Sequence, residues 1–236
     1  MKLDFSGERV LAIVVHPDDA EMLCAGTLAR AKADGAGIGI AVMCSGNAGQ
    51  PEKPIQNLAA VRRREMEAAA KLLGAELYRA DIDDGTLTDD RRTRLRVVEI
   101  QRQFRPTLVL AHSLNDYHGD HRAAGALAEV TSWSCASHGV KTKSPPLPRP
   151  PALWWMDTVN MSGFALGFYV DISACLEVKE KMLACHRSQL ARGSDSDFSP
   201  LLDLMRLQAH ARGAQAGIVA AEAFCAHHAF KRERAW

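Results

Sequence analysis

Hydrophobic positions along this chain alternate between two rhythms. Val10–Val15, Gly37–Met43 and Thr107–Ala111 are short, nearly unbroken apolar runs bounded by polar residues or glycine. Such runs predict buried strands, and Ala75–Ala80 reads as a shorter one. Between them lie stretches with helical spacing. Ala20–Asp34 places Leu23, Leu28 and Ala31 on an apolar stripe and stops at Gly35; Ile55–Leu73 is rich in Ala, Arg and Glu and closes on Gly74. Arg91–Phe104 ends before Pro106, and Arg122–Ser134 follows the fourth run. Strands alternating with helices of this length predict an α/β chain, a Rossmann-like three-layer fold with a mainly parallel sheet. Farther on, Lys143–Pro151 carries five prolines and reads as a surface excursion. Ala152–Met156 and Phe168–Ile172 then read as strands, and Ala174–Leu190 and Leu201–Ala211 as helices. No repeat or low-complexity tract interrupts the pattern, so residues 1–236 are expected to form a single domain.

Composition narrows the function classes. With 24% charged residues and a net charge of +1, the chain has no electrostatic footprint for nucleic acid or an anionic membrane. No apolar run approaches the length of a membrane span, and Met1–Phe5 lacks the apolar region of a signal peptide. The six cysteines include no C-x-x-C pair. A cytoplasmic protein with reduced thiols is the expectation. The first strand-to-helix turn has no G-x-G-x-x-G, so no dinucleotide is expected there.

The chemistry sits at two strand ends. His16-Pro17-Asp18-Asp19 directly follows the first strand, and His118-Gly119-Asp120-His121 follows the fourth. Ligands of open α/β sheets bind where strands end at their carboxyl edges. A catalytic zinc has three protein ligands and an open position for water. His16, Asp19 three residues on, and His121 from the neighbouring edge supply such a set. Asp18, on the other side of the turn, is placed to act on water as a general base. His118 reads as an acid or oxyanion partner, with Asp120 as an orienting carboxylate. Either cluster alone also reads as a helix cap, since Asp is a favoured capping residue. Two His and one carboxylate also describe the facial triad of non-haem iron oxygenases, so the ligand set alone does not choose hydrolysis.

These motifs resemble the PIG-L/LmbE-like metal-dependent N-deacetylases. The resemblance rests on His16 to Asp19 with Gly26, on His118 to His121, and on the helical Arg62-Arg63-Arg64-Glu65 before Leu72-Leu73-Gly74. It continues through Tyr169-Val170-Asp171-Ile172, His186-Arg187-Ser188-Gln189 and Ala221-Glu222-Ala223-Phe224. It implies His16, Asp19 and His121 as zinc ligands, Asp18 as general base and His118 as the oxyanion or acid residue. Zn2+ is the implied ion, with Fe2+, Co2+ or Mn2+ acceptable to the same ligands. Two positions depart from the family pattern. Ala20 follows the second Asp where many members carry Glu, and Asp116 stands where some deacetylases have a mobile tyrosine, with Tyr117 next.

The resemblance implies a small-molecule substrate, an N-acylated sugar conjugate of the GlcNAc type, with hydration or another amide hydrolysis as the alternative; a non-catalytic metal-binding module is the non-enzyme reading, against which an open three-ligand site argues. Arg62 best matches the family's substrate-contacting arginine, although three adjacent arginines also suit a solvated helix face. Asn115, Asp116 and Tyr117 are candidate polar contacts to substrate; the Ser45–Gln50 loop could offer backbone N–H groups to sugar or phosphate oxygens, or equally be only a turn. His112 reads as a strand-end structural residue, because a fourth ligand would close the site to water. His186–Gln189 falls late in a predicted helix. The Pro-rich excursion suits an interface, and a homo-oligomer is expected.

Overall fold

Seven strands form one sheet in the order β3-β2-β1-β4-β5-β7-β6 in the computed structural model, which describes residues 3–192 and 200–228. Strands β1 (Arg9–Val14), β2 (Gly37–Cys44), β3 (Glu76–Ile82), β4 (Leu108–His112) and β5 (Ala152–Met156) are mutually parallel. β7 (Ala221–Ala226) runs antiparallel to β5 and to β6 (Phe168–Asp171). Helices α1 (Asp19–Leu23), α2 (Ala25–Ala33), α3 (Leu58–Leu73), α4 (Arg91–Phe104) and α5 (Gly119–Ser134) make the crossovers. α6 (Leu176–Leu183), α7 (Arg187–Leu190) and α8 (Leu201–Ala216) complete the helical layers. The α/β, mainly parallel expectation holds. Alternate residues of β1 feed two cores: Val10, Ala12 and Val14 pack on one face, Leu11, Ile13 and Val15 on the other. A strand buried on both faces must be apolar throughout, which is why its sequence reads as an unbroken run.

Several boundaries differ from expectation. The helix expected over Ala20–Asp34 breaks at Cys24 (φ −145°, ψ 1°) into α1 and α2. The Glu222 carboxylate occupies the break, accepting from the Gly26 and Thr27 amides at 2.9 and 2.7 Å. The helix expected to begin at Arg122 begins at Gly119, so Asp120 and His121 lie in its first turn, with His118 as its cap. The helix expected over Ala174–Leu190 is interrupted between Ala184 and His186. β7 carried no strand signal: Ala-Glu-Ala-Phe-Cys-Ala has weak β-propensity, and pairing on both edges overrides it. No described helix is long and apolar enough to cross a membrane.

Candidate active site

β1 and β4 are hydrogen-bonded neighbours, paired from Val10↔Leu108 to Ile13↔Ala111. From β1 the chain crosses toward β2, and from β4 toward β5, on opposite sides. The connections therefore part above these two strand ends and leave a crevice, as at other topological switch points. A cleft of about 350 Å³ opens there, lined by His16, Asp18, Asp19, Tyr117, His118 and His121, among others. Both motifs singled out in the sequence thus reach one cavity.

Asp19 is its hub. Its Oδ2 accepts the His16 backbone N–H at 2.7 Å and lies 3.6 Å from His16 Nδ1, 3.5 Å from His121 Nε2 and 3.3 Å from His112 Nε2. Burial pushes the Asp19 carboxyl up, but His121 and His112 outweigh it and hold the group well below the usual carboxylate range. Burial likewise disfavours a charged His121, yet Asp19 and Asp116 raise it to about 10. His112 is fully buried and stacks on His121 with ring centroids 4.0 Å apart. Burial and the neighbouring His121 lower it to about 4. Its Nε2 accepts the Val15 N–H at 3.3 Å, which engages that lone pair with the backbone and supports a structural role.

His16, Asp19 and His121 bring one donor atom each within 4.8 Å of the others. The far nitrogens of both imidazoles face carboxylates: His121 Nδ1 is 3.2 Å from Asp116 Oδ1, and His16 Nε2 is 3.5 Å from Asp120 Oδ2. A carboxylate behind an imidazole holds the proton on the far nitrogen and aims the near lone pair inward. Without an ion, Asp19 and Asp116 keep a proton on each nitrogen of His121. A metal ion can replace the proton on the side facing Asp19, so the three donors fit a metal ion.

Asp18 stands on the opposite side of the turn, in a left-handed conformation (φ +118°) that is strained for a non-glycine residue. Arg62 holds it there. Its Nη2 lies 2.9 Å from Asp18 Oδ2 and also donates to the Pro17 carbonyl, while Nη1 reaches the Gly46 carbonyl at 3.4 Å. Arg62 is 3% exposed, so the solvated-face reading of this arginine is set aside. Gly46 (φ +75°) admits it, since a Cβ there would stand 2.6 Å from Arg62 Cδ. Burial raises the Asp18 carboxyl above its ordinary value, and Arg62 partly offsets the rise.

His118 accepts the Asp120 N–H on Nδ1 at 3.2 Å, so in the neutral ring the proton is on Nε2. Burial and the neighbouring His121 and His16 lower its pKa, favouring that neutral form. Asp120 accepts the Gly85 N–H on Oδ2 at 2.6 Å. Tyr117 is half-exposed on the cleft wall, its phenol pushed up to about 12 by burial and Asp116. Two expected substrate contacts lie outside the lining. Asp116 is buried against His121 and accepts the His118 N–H at 2.9 Å, while Asn115 is exposed and donates to the Gly163 carbonyl at 2.6 Å. The turn that closes on the Asp116 side chain directs it inward.

Most amides of the Ser45–Gln50 loop are engaged within the protein, which favours its reading as a turn. Gly46 and Ala48 both donate to the Asp84 carboxylate, and Ser45 donates to the Ile82 carbonyl. The far wall was not assigned from sequence. Gln189 lines the cleft and donates to the Gly49 carbonyl, and its turn is pinned by Ser188, which bonds Glu65 through both amide and hydroxyl. His186 is buried 3.4 Å from Glu21. The pairings Glu21–His186 and Glu65–Ser188 span more than a hundred residues, beyond the reach of local spacing.

The chain is similar to known proteins. Residues 11–131, just over half of the chain, fit the family model described as PIG-L, GlcNAc-PI de-N-acetylase. The chain is 29% identical over 215 residues to diacetylchitobiose deacetylase of Thermococcus kodakarensis, spanning 85% of this chain and 77% of that protein. It is 36% identical over 91 residues to 4-oxalmesaconate hydratase of Pseudomonas putida, spanning 38% of this chain and 35% of that one. The structure of N,N'-diacetylchitobiose deacetylase from Pyrococcus horikoshii superposes with a TM-score of 0.81 at 25% identity, covering 93% of this chain and 84% of that one.

Proposed function

This chain belongs to the PIG-L (GlcNAc-PI de-N-acetylase) family, and from that premise we propose that it is a metal-dependent N-deacetylase of GlcNAc-type small molecules. The observation that carries the reading is the convergence of His16, Asp19 and His121 beside Asp18 and His118 in one cleft. His16, Asp19 and His121 would hold the ion, with zinc the natural choice for this donor set. When bound, the ion supplies a Lewis acid that polarises the acyl carbonyl and acidifies water.

The chain's own residues do the rest. Asp18, fixed by Arg62, takes the proton of the attacking water as general base. His118 donates its Nε2–H to the acyl oxygen as negative charge develops there, because its Nδ1 is already occupied by the Asp120 amide. Asp120 and Asp116 orient His16 and His121. Tyr117, with its phenol protonated, and Arg62 face the cleft as contacts to the sugar. The C–N bond then breaks as the proton taken up by Asp18 passes to the nitrogen, giving the free amine and acetate.

The experiment is acetate release from N-acetylglucosamine and N,N'-diacetylchitobiose, measured before and after chelation and after readdition of Zn2+. Release that is lost on chelation and restored by metal supports the reading. The local match to the hydratase supports a second reading, addition of water to an unsaturated carboxylate, and such a substrate belongs in the same panel. Turnover confined to that substrate would replace the deacetylase assignment.

A further inference from the structure

His16 also belongs to a second group of metal-ligating atoms. His16, Cys44 and Asp120 bring one donor each within 4.8 Å of the others. Among the described residues this is the one such group that contains a cysteine. Cys44 ends β2, is 2% exposed and carries a free thiol. The nitrogen of His16 that faces Asp120 is Nε2, at 3.5 Å, while Nδ1 faces Asp19 at 3.6 Å. The field at Cys44 is negative: burial, then Asp120, Asp84, Asp19 and Asp83, all push its thiol up.

We propose that His16, Cys44 and Asp120 form an inhibitory site for soft, thiophilic divalent cations such as Cd2+. Thiolate sulfur selects soft ions, and carboxylate and imidazole complete the set. Binding forms a bond from the metal to Cys44 Sγ and releases the thiol proton to solvent. It also takes the Nε2 lone pair of His16. A neutral imidazole has one protonated nitrogen, so the proton passes from Nε2 to Nδ1. Nδ1 then no longer offers a lone pair beside Asp19. The two sites thus compete for one ring, and occupation of either lowers affinity at the other, as linkage requires. The binding half stands on the geometry alone, whereas the inhibitory half rests on the proposed role of His16.

The test titrates the full-length metal-loaded protein with Cd2+, following the ultraviolet thiolate-to-cadmium charge-transfer band and turnover in parallel. The site assigned to the catalytic ion contains no sulfur, so cadmium bound there gives no such band. The expected result is a saturable band that rises as activity falls, with both reversed by chelation and reloading. Cys44→Ser, and Cys44→Val as a variant suited to the apolar end of β2, should retain basal activity and abolish the band. Each should weaken inhibition by about 10- to 100-fold, the scale on which metal affinity responds to changes around a site. Absence of the band in the native protein, or its persistence in both variants, overturns the site. Loss of the band with inhibition unchanged overturns the inhibitory role. The band is readable even if no deacetylation is found, so failure of this site and failure of the deacetylase reading are distinct.

Discussion

Removing the charge of Glu222 should destabilise the fold, because that carboxylate joins three elements in the interior. Glu222 lies 2.5 Å from Lys179 Nζ and accepts from the Gly26 and Thr27 amides; Lys179 also donates to the Met22 carbonyl at 2.9 Å. Both residues are nearly inaccessible, at 1% for Lys179 and 4% for Glu222. Breaking a buried pair by neutralising one partner costs about 3–5 kcal/mol, since the other charge remains without compensation. Glu222→Gln should fall in that range. For a chain of this size about 1 kcal/mol moves Tm by roughly 2–4 °C, so Tm should drop by about 6–20 °C. Lys179→Met should cost less, because the Gly26 and Thr27 amides still bond the carboxylate. The double variant, Lys179→Met with Glu222→Gln, should be more stable than Glu222→Gln alone, since no charge remains buried. Scanning calorimetry of the four proteins closes the cycle. A Glu222→Gln shift of under about 2 °C, or a double variant losing the sum of both singles, would refute this reasoning.

Gly26→Ala places a Cβ 2.7–2.8 Å from three Ile172 side-chain atoms and should destabilise by about 1–3 kcal/mol, with Ile172→Ala in the same chain restoring part of the loss in a thermal melt. Arg62→Lys should cut turnover by about 10²-fold with little change in Tm, since an ammonium cannot hold Pro17, Asp18 and Gly46 together; unchanged kcat would remove its positioning role. Glu99 is held at about 2, below its ordinary 4.5, because bonds from the Ser144 amide and hydroxyl outweigh its burial. Its contribution is therefore full above about pH 4.5 and lost as pH falls toward about 2, so the stability gap between native and Glu99→Gln protein should close across that window.

The parallel half of the fold was legible because strands buried on both faces leave uninterrupted apolar runs and because Gly35, Gly74 and Pro106 punctuate the helices between them. The two histidine motifs were legible for the same reason: each directly follows such a run. What stayed hidden depends on contacts distant in sequence. β7 has the composition of a helix and is a strand only through its neighbours, and the Cys24 break exists because Glu222 arrives there from nearly two hundred residues away. Asp116 looked like a substrate contact on the basis of adjacency, but its turn directs it behind His121. Arg62 was one of three adjacent arginines, and only the packing of α3 against the Asp18 turn distinguishes it.

The central claim is that adjacent carboxylates divide two tasks, Asp19 holding the ion and Asp18 handling the proton. Metal content by mass spectrometry and acetate release should be measured together on Asp18→Asn and Asp19→Asn. The account predicts that Asp18→Asn retains stoichiometric metal and loses turnover by about 10²–10⁴-fold, the usual contribution of a general base, whereas Asp19→Asn loses both. Metal lost from Asp18→Asn and kept by Asp19→Asn would contradict it.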